Sequence, residues 1–176
     1  MDAQTNLTTS GDSNFISSPS LKTWFQTQIQ SLYGIPSQTD SRNLPQVFFS
    51  SGAQILLNHV PVTLEDFQSD IKSRLQSSRQ TSISWKDVIE VYSSGADSQN
   101  ETGIVAGIYI VTRSLNFRIR AGPAQRKTTV VFTAKIHRDP TIHDEDARRI
   151  VYLHQTLVDE AVPVHIHGIG GQQVIP

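Results

Sequence analysis

The segment at residues 103–112 constrains the fold more than any other part of this chain. Its apolar side chains fall into two alternating sets, Val105, Tyr109 and Val111 on one side and Ile104, Ala106, Ile108 and Ile110 on the other. Side chains of a strand alternate between its two faces, so a strand that is apolar on both needs packing partners on each side of the sheet. The pattern predicts a strand whose sheet is covered on both faces.

Further strand signals make up most of the second half of the chain. Ile83 and Trp85 open one strand, and its alternation changes phase near Lys86 and Asp87, which predicts a bulge. The strand at residues 103–112 continues to residue 119, a turn follows at 121–124, and strands return over 128–137 and 149–158. Short connections make consecutive strands neighbours, so the sequence predicts a four-stranded antiparallel meander.

Three amphipathic helices are predicted before the meander. Apolar residues at spacings of three and four predict the first from Ser20, and Gly34 ends it. A second is predicted from Ser41 as its cap, with a stop at residues 50–52. The third begins at Thr63, where Asp66 three residues later completes a pattern similar to a capping box, and it ends near Ser77.

A short hairpin is predicted between the second and third helices. Residues 53–57 form its first strand, Asn58 and His59 its turn, and residues 60–62 the returning strand. Asparagine suits such a turn because its side chain tolerates a positive φ angle. The predicted fold is therefore α+β.

Composition indicates one domain without sulfur chemistry. Residues 1–18 are polar and predict a disordered tail, residues 19–160 form the domain, and residues 161–176 form a loose C-terminal tail. The 176 residues contain no cysteine, which excludes disulfides and thiolate chemistry. No apolar run approaches the roughly 18 residues that span a bilayer, and no leader pattern is visible, so an intracellular location without membrane contact is expected.

The charge pattern argues against nucleic acid as a partner. Fifteen basic side chains balance sixteen acidic ones. The nearest approach to a basic cluster is interpreted as a solvated strand end and turn, and it comprises Arg113, Arg118, Arg120, Arg126 and Lys127. Neither a glycine-rich phosphate loop nor a nucleophile elbow is present, so no cofactor is expected.

A family resemblance rests on the predicted hairpin and its flanks. The chain reads FFSSGAQILLNHVPV at residues 48–62 and LEDF at residues 64–67. This order of elements over residues 20–160 resembles the nuclear transport factor 2-like superfamily. The resemblance implies a cystatin-like cone, in which the three helices pack in the concave face of a strongly curved sheet around an apolar cavity. It also implies a homodimer through the convex face.

The superfamily contains enzymes as well as binding modules, and its catalytic positions can be checked in this chain. Its enzymes include ketosteroid isomerase, scytalone dehydratase, SnoaL-like polyketide cyclases and limonene epoxide hydrolase. Where the isomerase pattern implies a general base, this chain has Leu57, and near the tyrosine position it has Gln28. The second carboxyl position falls at Phe132 or Thr133. Proton abstraction needs a base within reach, so isomerase-like chemistry is disfavoured.

The remaining catalytic candidates are two histidines and one carboxylate. His137 and His154 lie on neighbouring predicted strands and could approach each other, although the predicted register places both outside the cone. Asp87 lies at the predicted bulge. His165 and His167 alternate without a third ligand nearby, so no metal site is predicted. The acidic run at residues 144–146 is interpreted as a solvated turn.

Three functions remain open at this point. The first is a cofactor-free protein that binds a small apolar molecule, as a lyase, isomerase or cyclase of secondary metabolism. Its expected ligand-binding residues are Trp24, Gln28, Tyr33, Leu57, Phe67, Trp85, Tyr109, Phe132 and Gln155. The second is a non-catalytic homodimeric module whose cavity is filled by its own aromatic side chains, and the third is a nuclear transport adaptor.

Overall fold

The computed structural model describes residues 18–34, 48–93, 102–119, 122–142 and 146–163. Those residues form two helices and six strands. In chain order they are α1 (Leu21–Tyr33), β1 (Phe49–Leu57), β2 (Val60–Val62), α2 (Leu64–Gln76), β3 (Ser78–Tyr92), β4 (Gly103–Ile119), β5 (Gly122–Arg138) and β6 (Arg148–Ala161). The predicted α+β class is confirmed.

The six strands form one mixed sheet. Its order is β2-β1-β6-β5-β4-β3, so the last four strands form the predicted meander. Every pairing is antiparallel except that of β1 with β6, which is parallel. The parallel pairing places the β1–β2 hairpin beside the last strand of the chain.

Both helices begin at side-chain caps, of which the sequence predicts the one at Thr63 and, for the other helix, only the start at Ser20. The Ser20 hydroxyl accepts a hydrogen bond from the Thr23 amide at 3.2 Å, and the Thr63 hydroxyl accepts one from the Asp66 amide at 3.0 Å. Each cap satisfies a backbone donor that the first helical turn leaves free. The first helix ends at Gly34 and the last at Ser77, as predicted.

The predicted second helix is wrong at its C-terminal end. Residues 50–52, which were expected to stop that helix, lie inside β1 because the strand begins at Phe49. Ile150 donates its amide to the Phe48 carbonyl at 2.8 Å, so the start of the strand is anchored on β6. The rest of the predicted helix, residues 41–47, lies outside the described residues.

The tight turn of the hairpin is confirmed. Asn58 and His59 have φ angles of 49° and 67°. Two consecutive positive φ angles match the twist of the flanking strands in a two-residue hairpin. The turn is also tied to β6, since the Asn58 amide donates to the Gln155 carbonyl and Asn58 Oδ1 accepts from the Leu157 amide, both at 2.8 Å.

The predicted bulge in β3 is confirmed between Trp85 and Val88. Gly107 on β4 pairs with Val88 at this point, and a Cβ atom there would clash with the Asp87 carbonyl oxygen. The bulge therefore needs a glycine on the neighbouring strand.

The two faces of the sheet have different surroundings. The concave face packs against both helices, and the largest fully buried side chains between them include Phe25 of α1 and Tyr109 and Phe132 of the sheet. The opposite, convex face is covered by no element among the described residues. The predicted covering of both faces is thus seen on one face only.

Several predictions fall outside the described residues. They include residues 1–17 of the predicted tail and residues 164–176, which contain His165 and His167. Within the described ranges, neither helix has the length and hydropathy to cross a membrane.

Candidate functional site

The interior of the cone is occupied by the protein's own aromatic side chains. The ring of Phe25 stacks on that of Phe132 with centroids 4.7 Å apart, and the ring of Trp85 lies 5.1 Å from that of Tyr109. Tyr109 and Phe132 are themselves 5.7 Å apart. Contacts at these distances are those of close-packed aromatic cores. Three of the nine expected ligand-binding residues, Trp85, Tyr109 and Phe132, therefore belong to one continuous aromatic cluster.

A polar pair lies at the inner end of this cluster. Gln155 donates a hydrogen bond from Nε2 to the Tyr109 hydroxyl at 3.0 Å, and both side chains are buried. Burial raises the pKa of Tyr109 well above its ordinary value. Burial also raises the pKa of Tyr33, against the opposing effects of a hydrogen bond to Tyr109 and of Arg74. Both phenols are therefore neutral donors at physiological pH, which suits a structural hydrogen bond.

Trp24 contributes to a contact that joins the start of α1 to the start of β6. Its indole nitrogen donates to Asp146 at 2.6 Å, and the Arg148 guanidinium lies over its ring at 5.3 Å. Arg148 also donates to Asp146 at 2.8 Å and to the Pro19 carbonyl at 2.7 Å. Asp146, which was interpreted as part of a solvated turn, is 41% exposed and also accepts these hydrogen bonds. Gln28 is half-buried on α1.

A small cavity remains between α2 and the sheet. Its water-accessible volume is about 10 Å³. Its walls include Tyr33, Leu57, Phe67 and Gln155 from the expected ligand-binding set, while Trp24, Gln28, Trp85, Tyr109 and Phe132 do not line it. A volume of this size is about that of one water molecule, whereas small-molecule sites usually measure about 300–1,000 Å³.

Two residues of the polar wall, Arg113 and Thr128, belong to a charged network that the sequence interpretation missed. Arg113 donates from Nη2 to Asp159 at 2.9 Å, and Arg126 donates to the same carboxylate at 2.8 Å. The Thr128 hydroxyl donates to Asp159 at 2.8 Å. Arg113 is only 4% exposed, so its assignment to a solvated strand end is wrong.

The electrostatics of the network centre on Asp159. Desolvation raises the pKa of this carboxyl group, but hydrogen bonds from Thr128, Arg113 and Arg126 outweigh it and hold the pKa below its ordinary value. Alternation could have located the network, because Arg113 follows the buried Val111 by two residues and Asp159 follows Gln155 by four. Both charged residues therefore have the phase of the concave face.

None of the three catalytic candidates lines this cavity. Asp87 is exposed at the bulge. His154 pairs with Thr133 in the register of β5 and β6, whereas His137 pairs with Arg149, so the two histidines are not cross-strand neighbours. His154 instead contacts His59, with ring centroids 4.6 Å apart. Burial, and then the charge of Lys135, lower the pKa of His137.

No metal centre is formed by the described part of the chain. Within it, no group of three histidine, aspartate or glutamate side chains is arranged to hold an ion. The His59 and His154 pair supplies two imidazoles, and zinc sites use at least three protein ligands.

The convex face of the sheet exposes an apolar surface in its centre. We name it the convex patch, and it comprises Ile89, Val91, Ile104, Ala106, Ile108, Ile110, Val131 and Val158. Register places these side chains in neighbouring rows, since Ile89 pairs with Ala106, Val91 with Ile104, and Ile108 with Val131. The most exposed members range from 44% for Ile104 to 64% for Ile89. The four strands and four side-chain rows span roughly 400–500 Å² in plane, and polar side chains such as Thr129, Thr133 and Thr156 share this area with the patch.

Comparison with known proteins identifies the fold. No protein-family model matches the chain, and no curated protein matches it in sequence. Solved structures do match. A conserved protein from Planctomyces limnophilus has a TM-score of 0.53 at 11% identity, covering 78% of this chain and 94% of its own. The Mtr2–Mex67 M domain complex from Candida albicans matches with a TM-score of 0.52 at 15% identity, covering 82% and 96%. The protein Kfla4162 from Kribbella flavida gives 0.52 at 13% identity, covering 78% and 89%.

These matches and the sheet topology define the class of protein. The chain has the nuclear transport factor 2-like fold. At 11–15% identity the likeness concerns the fold alone. Folds of this kind carry unrelated functions, so the activity has to be argued from this chain's own surfaces.

Proposed function

We propose that this protein is a non-catalytic protein-binding module that assembles through the convex patch. The observation that carries the proposal is the contrast between a filled interior and an exposed apolar sheet face. The largest apolar patch on a soluble protein is often functional, and the convex patch is the candidate for that role here. The filled interior leaves little room for a substrate.

The partner to which we commit is a second copy of this chain. The centre of the convex patch contains no charged side chain, and Lys135 lies at its border beside Ile104. Two copies can therefore stack their sheets without bringing like charges together at the centre of the interface. Burial of uncharged apolar side chains at the centre, within a polar rim, is typical of stable interfaces.

The oligomeric state tests this proposal directly. We expect light scattering at micromolar concentration to give a dimer. Val131→Glu should weaken the dimer by about a hundredfold or more, because each interface would bury two unpaired carboxylates. Val60→Glu is the matched control, since Val60 is equally an exposed valine on a strand but pairs with Leu57 outside the patch.

Three outcomes would count against the homodimer. They are a monomeric wild type, a dimer that survives Val131→Glu, and equal weakening by both substitutions. Circular dichroism of each variant establishes that the fold is retained, so loss of association is separated from unfolding.

A different protein on the same face is the second candidate. It is favoured by the match to Mtr2, a protein of the same fold that was solved in complex with the Mex67 M domain. If the wild type is monomeric, we expect crosslinking in the source cell to join a partner at residues beside the patch, such as Lys135. Val131→Glu should abolish those crosslinks and Val60→Glu should leave them.

Binding of a small apolar molecule in the cone stays a prediction. It requires the aromatic cluster to open, because the water-accessible volume is about 10 Å³. Native mass spectrometry of the purified protein checks it, and the bare mass of the chain, alone or as a dimer, would argue against it.

A further inference from the structure

Arg113, which lines the cavity between α2 and the sheet, has a buried donor without an acceptor. We name this cavity the Arg113 pocket, and its polar walls are Arg113, Tyr33, Gln155, Thr128, Asp70 and Arg74. Among the described residues, Arg113 Nε has no hydrogen-bond partner, although the side chain is only 4% exposed. Leaving such a donor unpaired costs about 1–3 kcal/mol, and more for a charged group. An acceptor inside the pocket would remove that cost.

The charges around the pocket leave a positive excess. Asp159 is shared between Arg113 and Arg126, while Asp70 pairs with Arg74 at 2.8 Å. Asp159 and Arg126 are not among the lining residues, so the lining itself has two guanidinium groups, of Arg113 and Arg74, and one carboxylate, of Asp70. The excess charge matters most at Arg113, because Arg126 is 40% exposed and is solvated by bulk water.

The neighbouring polar groups favour an acceptor over a cation. Tyr33 and Tyr109 are neutral phenols, and Gln155 uses one of its two amide hydrogens on Tyr109. Asp70 is the carboxylate in the lining that would repel an anion. Its charge is neutralised by Arg74, its partner on the same helix.

We propose that the Arg113 pocket binds one small monovalent inorganic anion of about the size of chloride, which accepts a hydrogen bond from Arg113 Nε. The space fits one water-sized species and excludes sulfate, phosphate or an organic acid. This site is separate from the convex patch, so it stands or falls independently of the assembly proposed above.

Bromide locates the anion by X-ray crystallography. Crystals of the full chain grown in sodium bromide should show an anomalous peak within hydrogen-bonding distance of Arg113 Nε. Density for a water molecule without an anomalous signal would overturn the proposal. Density for another carboxylate of the chain at the same place would do so equally.

Stability in solution provides the second measurement. At constant ionic strength, the unfolding midpoint of the wild type should rise when gluconate is replaced by chloride, because an anion that binds only the folded state stabilises it. Arg113→Lys should remove this chloride effect, since lysine can still pair with Asp159 but has no Nε donor. Arg126→Lys is the matched control and should keep the effect.

The two measurements together decide the proposal. An anomalous peak with no chloride effect in solution means binding at crystal concentration only and overturns it. Equal chloride effects in the wild type and in Arg113→Lys also overturn it. If Arg113→Lys does not fold, the bromide crystal of the wild type decides alone.

Discussion

The two faces of one sheet show how differently equally apolar residues can be used. On β5, Phe132 is 2% exposed on the concave face and its neighbour Val131 is 50% exposed on the convex face. On β4, Val105 is fully buried while Ile104 is 44% exposed. Apolar side chains on both faces of a strand therefore predict that both faces are covered. In this chain the helices cover the concave face, and no described element covers the convex face. The other face is available for a partner.

The largest expected effect is on the concave face. Phe132→Ala should lower the free energy of unfolding by about 3–5 kcal/mol, because it removes a ring that stacks on Phe25 and leaves a cavity. Val131→Ala, one residue away, is the matched control. Urea denaturation at a protein concentration low enough to dissociate any dimer should give the control a loss of less than about 1 kcal/mol. A larger loss for Val131→Ala than for Phe132→Ala would contradict the assignment of the two faces.

The next largest effect is expected at the bulge, where the two faces change phase. Gly107→Ala should cost about 1–3 kcal/mol, because the new Cβ meets the Asp87 carbonyl oxygen and the Val88 Cα. Gly52→Ala on β1 is the control, since nothing lies within 4 Å of a Cβ at that position. Thermal unfolding should show no loss for the control. Similar losses at both glycines would show that the close approach is absent.

Much of the fold followed from local sequence signals. The helix start at Ser20, the cap at Thr63, the tight turn at Asn58 and His59, and the bulge after Trp85 all depend on neighbouring residues, and all were predicted. The start of β1 was not, because Leu44, Val47 and Phe48 have a helix-like spacing and a glycine follows at residue 52, and only pairing with β6 decides for a strand. The parallel contact between β1 and β6 is equally non-local.

The candidate site was harder to predict for a related reason. Trp85, Tyr109 and Phe132 were correctly expected to face inward, but alternation does not show whether facing rings leave a cavity between them. Arg113 and Asp146 were interpreted as solvated because charged residues usually are. Their partners, Asp159 and Trp24, lie 46 and 122 residues away in the chain, so only the fold could reveal the pairs.

An intermediate effect is expected for the ion pair of Arg113 and Asp159 on the concave face. Asp159→Asn should cost about 1–2 kcal/mol near neutral pH, because Arg113 would lose its carboxylate while staying buried. The pKa of Asp159 is lowered in the folded state, so its contribution is present above the unfolded pKa of about 3.9 and is lost as the pH falls through the lower folded value.

Urea titrations at several pH values check this dependence. The difference between the wild type and Asp159→Asn should be greatest near neutrality and should shrink below about pH 4. Asp70→Asn is the control, because an exposed pair four residues apart on a helix contributes only about 0.3–0.5 kcal/mol. A difference that is independent of pH would contradict the assigned role of the carboxylate.

The smallest expected effect is on the convex face, and it is a change in the pKa of His137. Burial, and then the positive charge of Lys135, lower the pKa of His137, so the folded protein binds this proton more weakly than the unfolded chain does. Stability should therefore decline slightly as the pH falls below the unfolded value of about 6.5.

Lys135→Ala should raise the pKa of His137, measured by NMR titration of the imidazole, although burial keeps it below the ordinary value. Lys127→Ala is the control on the same strand and face, and it should leave the pKa unchanged, because ten residues of strand separate the charges by about 33 Å, several screening lengths at physiological salt. An equal change in both variants would mean that the net charge of the protein, rather than the neighbouring side chain, sets the pKa of His137.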